Sequence, residues 1–467
     1  MFLSALFCEV KGLGPEGKYF LVRFIRRFIR RFGIAEPVDL GVKALAKQFG
    51  LSDRQVSEAL TTLVALGVMT FSSTPEGKGR PKRCYQLQED FHKKLENITA
   101  LTATQHEVAV GSLLKHESKK VCQASEKPEE QNEEVGLLTD LRSKKQPGRL
   151  TVVNRLLLSV LLCRADRFGV VNDLGFATLC KLTGLNKERL RHRLGRLIDQ
   201  GLIRVYVPGA TSPILARKMK SIYYLNLDHS ELAGGGSVTS ALVCMNGERI
   251  PDCVIHADGV RKDVSRDKGK SRPFQDSKYE QVVRYFKGQQ APLFRLLQVM
   301  LERYAAYLLS KRWSDLLSVP LNQRIDDQGL RELIRLDFRI STMPAESGGD
   351  GPKWSAEEQL NTVFDHLYHW AYDLALWIKE RFGQVTNVPF DSMDFVIVPR
   401  AMMLGYDHFA LLALPCPSEG WSGCLVVEPD TAPPVAPQHF PIESDIHFED
   451  RYSYGLLTRP GNDEVIK

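Results

Sequence analysis

The sequence predicts a mainly helical chain of mixed α and α+β character: two similar helix–helix–hairpin domains followed by a C-terminal α+β module. Three observations predict it. Residues 41–87 read as helix, turn, helix and β-hairpin, a second copy follows that is ungapped across the helix-turn-helix at an offset of 134 positions, and from Asp276 the pattern changes to long helical stripes and then short apolar strands.

Taking the first copy in order, residues 17–33 carry Phe20, Leu21, Phe24, Ile25, Phe28 and Ile29 at helical spacing, with Arg23, Arg26, Arg27, Arg30 and Arg31 between them. These arginines read either as a solvated face or as phosphate contacts. A short helix over 42–49 is punctuated by Gly50. Ser52 then opens the next helix with Gln55 three residues on, the spacing of a capping box. Val56, Ala59, Leu60 and Leu63 make its inner face, so Arg54, Gln55, Glu58, Thr61 and Thr62 point outward. After Gly67, residues 68–71 and 84–87 form a hairpin whose tip carries Lys78, Arg80, Lys82 and Arg83.

In the second copy, Gly175, Leu179, Lys181, Gly184, Leu185, Leu194, Leu197 and Gly201 repeat Gly41, Leu45, Lys47, Gly50, Leu51, Leu60, Leu63 and Gly67 at one constant offset. The matched residues are mostly turn glycines and core leucines. The leading helix is expected over 150–165, the outward helix over 186–199, and the hairpin over 203–207 and 223–227, with a longer loop containing Arg217, Lys218 and Lys220. Between residues 175 and 220 stand ten Lys/Arg (Lys181, Lys187, Arg189, Arg191, Arg193, Arg196, Arg204, Arg217, Lys218, Lys220) against only Glu188 and Asp199. This copy is the more cationic, which points to a polyanionic partner.

On these residues, both copies resemble the winged helix-turn-helix domains of bacterial transcription regulators and plasmid replication initiators. The resemblance covers roughly residues 15–90 and 149–228 and rests on architecture. It implies that the helix after the turn enters the major groove while the hairpin loop touches backbone or minor groove. The DNA-contacting residues expected on that basis are Ser52, Arg54, Gln55, Thr61, Lys78, Arg80, Lys82 and Arg83 in the first copy. In the second they are Lys187, Arg189, Arg191, His192, Arg196, Arg217, Lys218 and Lys220.

The expected domains are 1–95 and 149–230 for the two winged helix-turn-helix units, joined by a charged, partly helical linker over 96–148 that lets their separation vary. A flexible linker over 231–275 leads to the C-terminal α+β module, 276–467, an effector or oligomerisation domain. In this module a helical stripe runs through Leu297, Met300, Leu301, Tyr304 and Leu308, and Ser355 caps a long helix ending at Gly383. Apolar strands follow over 395–398, 409–414 and 424–427.

Catalysis finds little support. Asp365, His369 and Asp373 share a helix face beside His366, where a divalent metal could bind, but a packed, hydrogen-bonded histidine is the stronger reading. No phosphate-cradling Gly-x-x-x-x-Gly-Lys-Ser/Thr loop occurs, so neither enzyme activity nor cofactor is expected. Nine cysteines without a Cys-x-x-Cys pair, and no apolar run long enough for a membrane span, fit a cytoplasmic, nucleoid-associated protein. With 43% hydrophobic residues and a net charge of +6, the chain is expected to fold into about three domains. The expected partners are double-stranded DNA, a second copy in a homodimer, and a protein such as RNA polymerase at the C-terminal module. The leading use is transcription control. Replication initiation on a mobile element is the nearest alternative, and a protein-interaction role in a chromosome-organising complex is a weaker third.

Overall fold

The computed structural model describes residues 1–29, 37–74, 82–98, 104–115, 150–232, 239–245, 252, 255–266, 276–340, 354–383, 385–400, 408–414, 421–428 and 436–460. They form a mixed α+β chain in which helix predominates. Two compact units result, Met1–Cys163 with Lys181–Leu185, and Arg164–Cys180 with Asn186–Lys467.

The first unit contains α1 (Phe2–Phe7), α2 (Pro15–Phe24), α3 (Val42–Phe49), α4 (Asp53–Ala65), β1 (Met69–Thr74), β2 (Lys82–Leu87), α5 (Glu89–Glu96), α6 (Glu107–Leu113) and α7 (Val152–Leu162). Pro15 starts α2 at a position where its missing N–H costs nothing. The helix is buried nearly all round and continues as a π-helical turn over Ile25–Ile29. Its Arg23 is not on a solvated face: it is buried, donates to the Gln48 carbonyl at 2.9 Å and lies 5.2 Å from the Phe49 ring centroid. β1 and β2 pair antiparallel from Met69–Leu87 to Thr74–Lys82, and Val38 adds a one-residue bridge to Tyr85. Helix α7, expected to lead the second copy's own domain, packs on α2 and α6 within this unit. The expected boundary at 149 is corrected by that packing.

The second unit contains β3 (Val170–Val171), α9 (Lys187–Asp199), β4 (Ile203–Val207), β5 (Ile222–Leu225), β6 (Ser240–Met245), α10 (His256–Arg266), α11 (Ser277–Tyr285), α12 (Ala291–Arg312), α13 (Gln328–Arg335) and α14 (Ala356–Phe382). Then come β7 (Asp394–Ile397), β8 (His408–Leu414), β9 (Cys424–Val427), β10 (Gln438–Phe440) and α15 (Phe448–Ser453), while α8 (Phe176–Thr183) has residues in both units. A three-stranded sheet runs β3-β5-β4 and a five-stranded one β10-β9-β6-β8-β7. The long helices α12 and α14 pack against each other, and α12 also packs on β7.

Two expectations fail here for one reason. The segment 231–275 is not simply a linker, because β6 is the middle strand of the five-stranded sheet, antiparallel to β8 and parallel to β9, and α10 packs on α12. Nor is 276–467 a separate domain. Phe168, Val205, Val207, Ile214, Leu215 and Tyr224 share one apolar core with residues of α12, α14 and the large sheet.

The second copy is also tied to the C-terminal residues by a buried ion pair. Arg204 on β4 is fully buried, its two terminal nitrogens donating to the Glu443 carboxylate at 2.8 and 2.6 Å, with Asp228 at 3.9 Å. Burial pulls the guanidinium's pKa down, but the Glu443 charge and hydrogen bonds outweigh it and leave it raised. The Arg204 carbonyl accepts from both the backbone N–H and the hydroxyl of Thr458. Among the described residues, no helix is long and apolar enough to cross a membrane.

Candidate nucleic-acid interface

The interface candidate is assembled from short-range rules. In each copy the turn before the outward helix needs a left-handed residue, and Gly50 (φ 69°) and Gly184 (φ 72°) supply it. The turn after it uses Gly67 (φ 66°) and Gly201 (φ 71°). The backbone bonds that close this turn recur at the same offset: Val68 N to Leu63 O and Leu202 N to Leu197 O, both 2.9 Å. The caps correspond as well, with Ser52 Oγ accepting from Gln55 N at 3.2 Å and Asn186 Oδ1 from Arg189 N at 2.8 Å.

What the two helices present differs. In α9, Leu190, Leu194, Leu197 and Ile198 are buried, whereas Lys187, Glu188, Arg189, Arg191, His192 and Arg196 are exposed. Arg189, His192 and Arg196 recur every three or four residues, so they lie along one side of the helix, with the half-buried Arg193 among them. Neither Lys187 nor Arg196 forms an ion pair among the described residues. The result is a helix with three arginines, Arg189, Arg193 and Arg196, along one side, Lys187 and Arg191 elsewhere on its surface, and two acids, Glu188 at its start and Asp199 at its end.

In α4 the outward face is close to neutral. Arg54 donates to Glu58 one turn on at 2.7 Å, and that hydrogen bond raises its pKa. Asp53 adds another negative charge. Gln55 does not point at a partner: its Oε1 accepts from the Ser52 backbone N–H at 3.0 Å, completing the capping box. Ser52 is therefore a cap, and Thr61 is the one expected contact residue on α4 that stands exposed with neither of these engagements. Gln55→Ala should lower folding stability by about 0.5–1.5 kcal/mol, the net worth of one hydrogen bond, because the Ser52 cap itself remains, while leaving any DNA preference intact. A changed preference with unchanged stability would return Gln55 to the interface.

The hairpin loops differ too. Lys78 and Arg80 lie outside the described residues, as does the side chain of Lys82. Arg83 is exposed, its guanidinium 5.1 Å from the centroid of the half-exposed Phe71. In the second copy Arg217 is exposed but 3.6 Å from the buried Asp337, Lys220 donates to the Asp173 carbonyl at 2.8 Å, and Lys218 is exposed. Arg204, counted among the cations of this copy, is internal and belongs to no surface. Sequence reasoning missed it because Glu443 stands 239 positions away.

The candidate metal face is dispersed into structural pairs. Asp365 accepts from Arg331 at 2.8 Å, Asp373 from Arg324 at 2.6 Å, and His366 turns its Nε2 to His256 Nε2 at 3.1 Å. Burial holds His366 down at about 4 and His256 well below its ordinary range, so both rings are neutral near pH 7. Among the described residues, no group of three His, Cys, Asp or Glu side chains could hold a metal ion. No family model matches the chain, and no curated protein or solved structure matches it.

Proposed function

We propose that this chain is a duplex-DNA-binding regulator, most simply of transcription, in which the second copy is the reader. The observation that carries the reading is the exposed basic face of α9 on a capped helix that follows a tight glycine turn and precedes a hairpin. Read as winged helix-turn-helix units, the copies place α4 and α9 in the groove-facing position and the hairpin loops beside them. Cations in that position neutralise phosphates and release condensed counterions, which gives affinity, and arginine's planar fork can pair with guanine, which gives discrimination.

The first copy has a different role under this reading. With Arg54 paired to Glu58 and Gln55 holding the cap, α4 offers little that a polyanion would attract. Its outward face suits a protein partner better than a groove, which supports the protein-interaction reading for this copy alone. Origin binding by a replication initiator would use the same reader and differ only in the target.

The test is a salt titration of duplex binding by the full chain. Arg189→Ala and Arg196→Ala should each weaken binding and reduce the slope of log affinity against log salt by about one for each phosphate that is no longer neutralised. Unchanged slopes in both variants would remove α9 from the interface.

A further inference from the structure

The loop 208–221 of the second hairpin, expected from sequence as a longer wing containing Arg217, Lys218 and Lys220, is stitched to the segment that follows α13. Ala216 N donates to the Asp337 carbonyl and Arg339 N to the Ile214 carbonyl, both at 2.9 Å, so Leu215 and Phe338 form an antiparallel bridge. Tyr285 OH donates to the carbonyls of Ile214 and Arg339 at 3.2 and 2.7 Å, and Arg339 Nε donates to the Pro213 carbonyl at 2.7 Å. Ile214 and Leu215 are buried beneath, while Arg217, Lys218 and Arg339 remain exposed.

We infer that the phosphate-contacting surface of the reader continues onto the C-terminal module, with Arg339 as a third cation beside Arg217 and Lys218. The inference rests on the DNA-binding reading above and extends it to a residue outside either copy. Across the bridge Arg339 stands opposite Ile214, three residues from Arg217 on the facing strand. At about 3.3 Å per residue that is roughly 10 Å along the ladder, a span that can face more than one phosphate of a DNA strand.

The local charge balance favours an anion. Asp337 is the negative centre here; it is completely buried, and its Oδ2 already accepts from Tyr304 OH at 2.6 Å and from Arg303. Around it stand the guanidinium groups of Arg217 and Arg303, with Arg339 two residues along the chain. One carboxylate cannot neutralise three guanidinium groups, so the rim keeps a net positive field. Among the described residues Arg339 commits Nε alone, to the Pro213 carbonyl, and a guanidinium carries five N–H donors. The bridge fixes where the rim sits, so little conformational freedom is given up when phosphates bind.

Duplex binding of the full chain across a salt series tests this with Arg339→Gln and Arg339→Lys. The glutamine variant should bind several-fold more weakly at low salt and show a salt slope smaller by about one, while the lysine variant, which keeps the charge without the fork, should keep the slope. Either a wild-type slope for Arg339→Gln, or a loss in Arg339→Lys as large as in Arg339→Gln, overturns the inference; the second result would mean that Arg339 acts only by holding Pro213. Arg189→Ala and Arg196→Ala run in the same series keep the two readings apart. If those two leave the slope unchanged, DNA reading by α9 fails; if they lower it and Arg339→Gln does not, only the extension to Arg339 fails.

Discussion

Glu443→Ala is expected to destabilise the second unit by about 3–5 kcal/mol, the range found when one partner of a buried ion pair is removed. The loss is large because Arg204 has no exposed surface and cannot regain hydration without opening the structure. Asp228 at 3.9 Å compensates only weakly, since it lies beyond hydrogen-bonding distance of the nearest Arg204 nitrogen. The pair also joins β4 of the second copy to residues far along the chain, so the effect should reach the reader as well as the C-terminal segment. Urea unfolding followed by tryptophan fluorescence measures it, because Trp313, Trp370, Trp377 and Trp421 all lie against the core of this unit. Replacing both partners by apolar residues of similar volume, as in Arg204→Met with Glu443→Leu, should recover much of the loss. A cost below about 1 kcal/mol for Glu443→Ala would mean that Arg204 reaches water on little opening.

The combined variant Arg189→Glu with Arg196→Glu should weaken duplex binding by about 100-fold or more, at roughly 1–3 kcal/mol for each arginine. Reversal goes further than truncation because it adds repulsion from phosphate to the missing attraction. Both side chains are exposed on α9, whereas the helix is held by Leu190, Leu194, Leu197 and Ile198, so the fold should be unaffected. Fluorescence anisotropy with a labelled duplex, alongside a thermal melt of the protein, separates binding from folding. Normal binding by a folded variant would contradict the assignment of the reader.

What could be read from sequence was what depends on neighbours in the chain. The turn glycines, the Ser52 and Ser355 capping boxes, and the strand positions near 395, 409 and 424 are set by a few adjacent residues, and the structure has them where expected. What depends on distant partners could not be read. The apolar run of β6 resembles a fragment in a linker until Ala241 is placed beside both Leu412 and Cys424. Arg204 looks like one more surface cation until Glu443 meets it. In the candidate interface, the charge excess of the second copy was legible from composition. The engagement of Arg54 and Gln55 by partners three or four residues away was legible only in part, because a capping box and an i,i+4 ion pair each compete with a ligand for the same side chain. The loop carrying Arg217 is pinned by a bridge between Leu215 and Phe338, for which its sequence holds no signal.

The central claim is that α9, and not α4, faces DNA. Site-specific photo-crosslinking tests it most directly: a photoreactive side chain is placed at His192 in one preparation and at Thr61 in another, both exposed positions on the outward faces of their helices. Irradiation with a labelled duplex at moderate salt is predicted to give a covalent protein–DNA band from position 192 and none from position 61. A band from position 61 with none from position 192 would contradict the account.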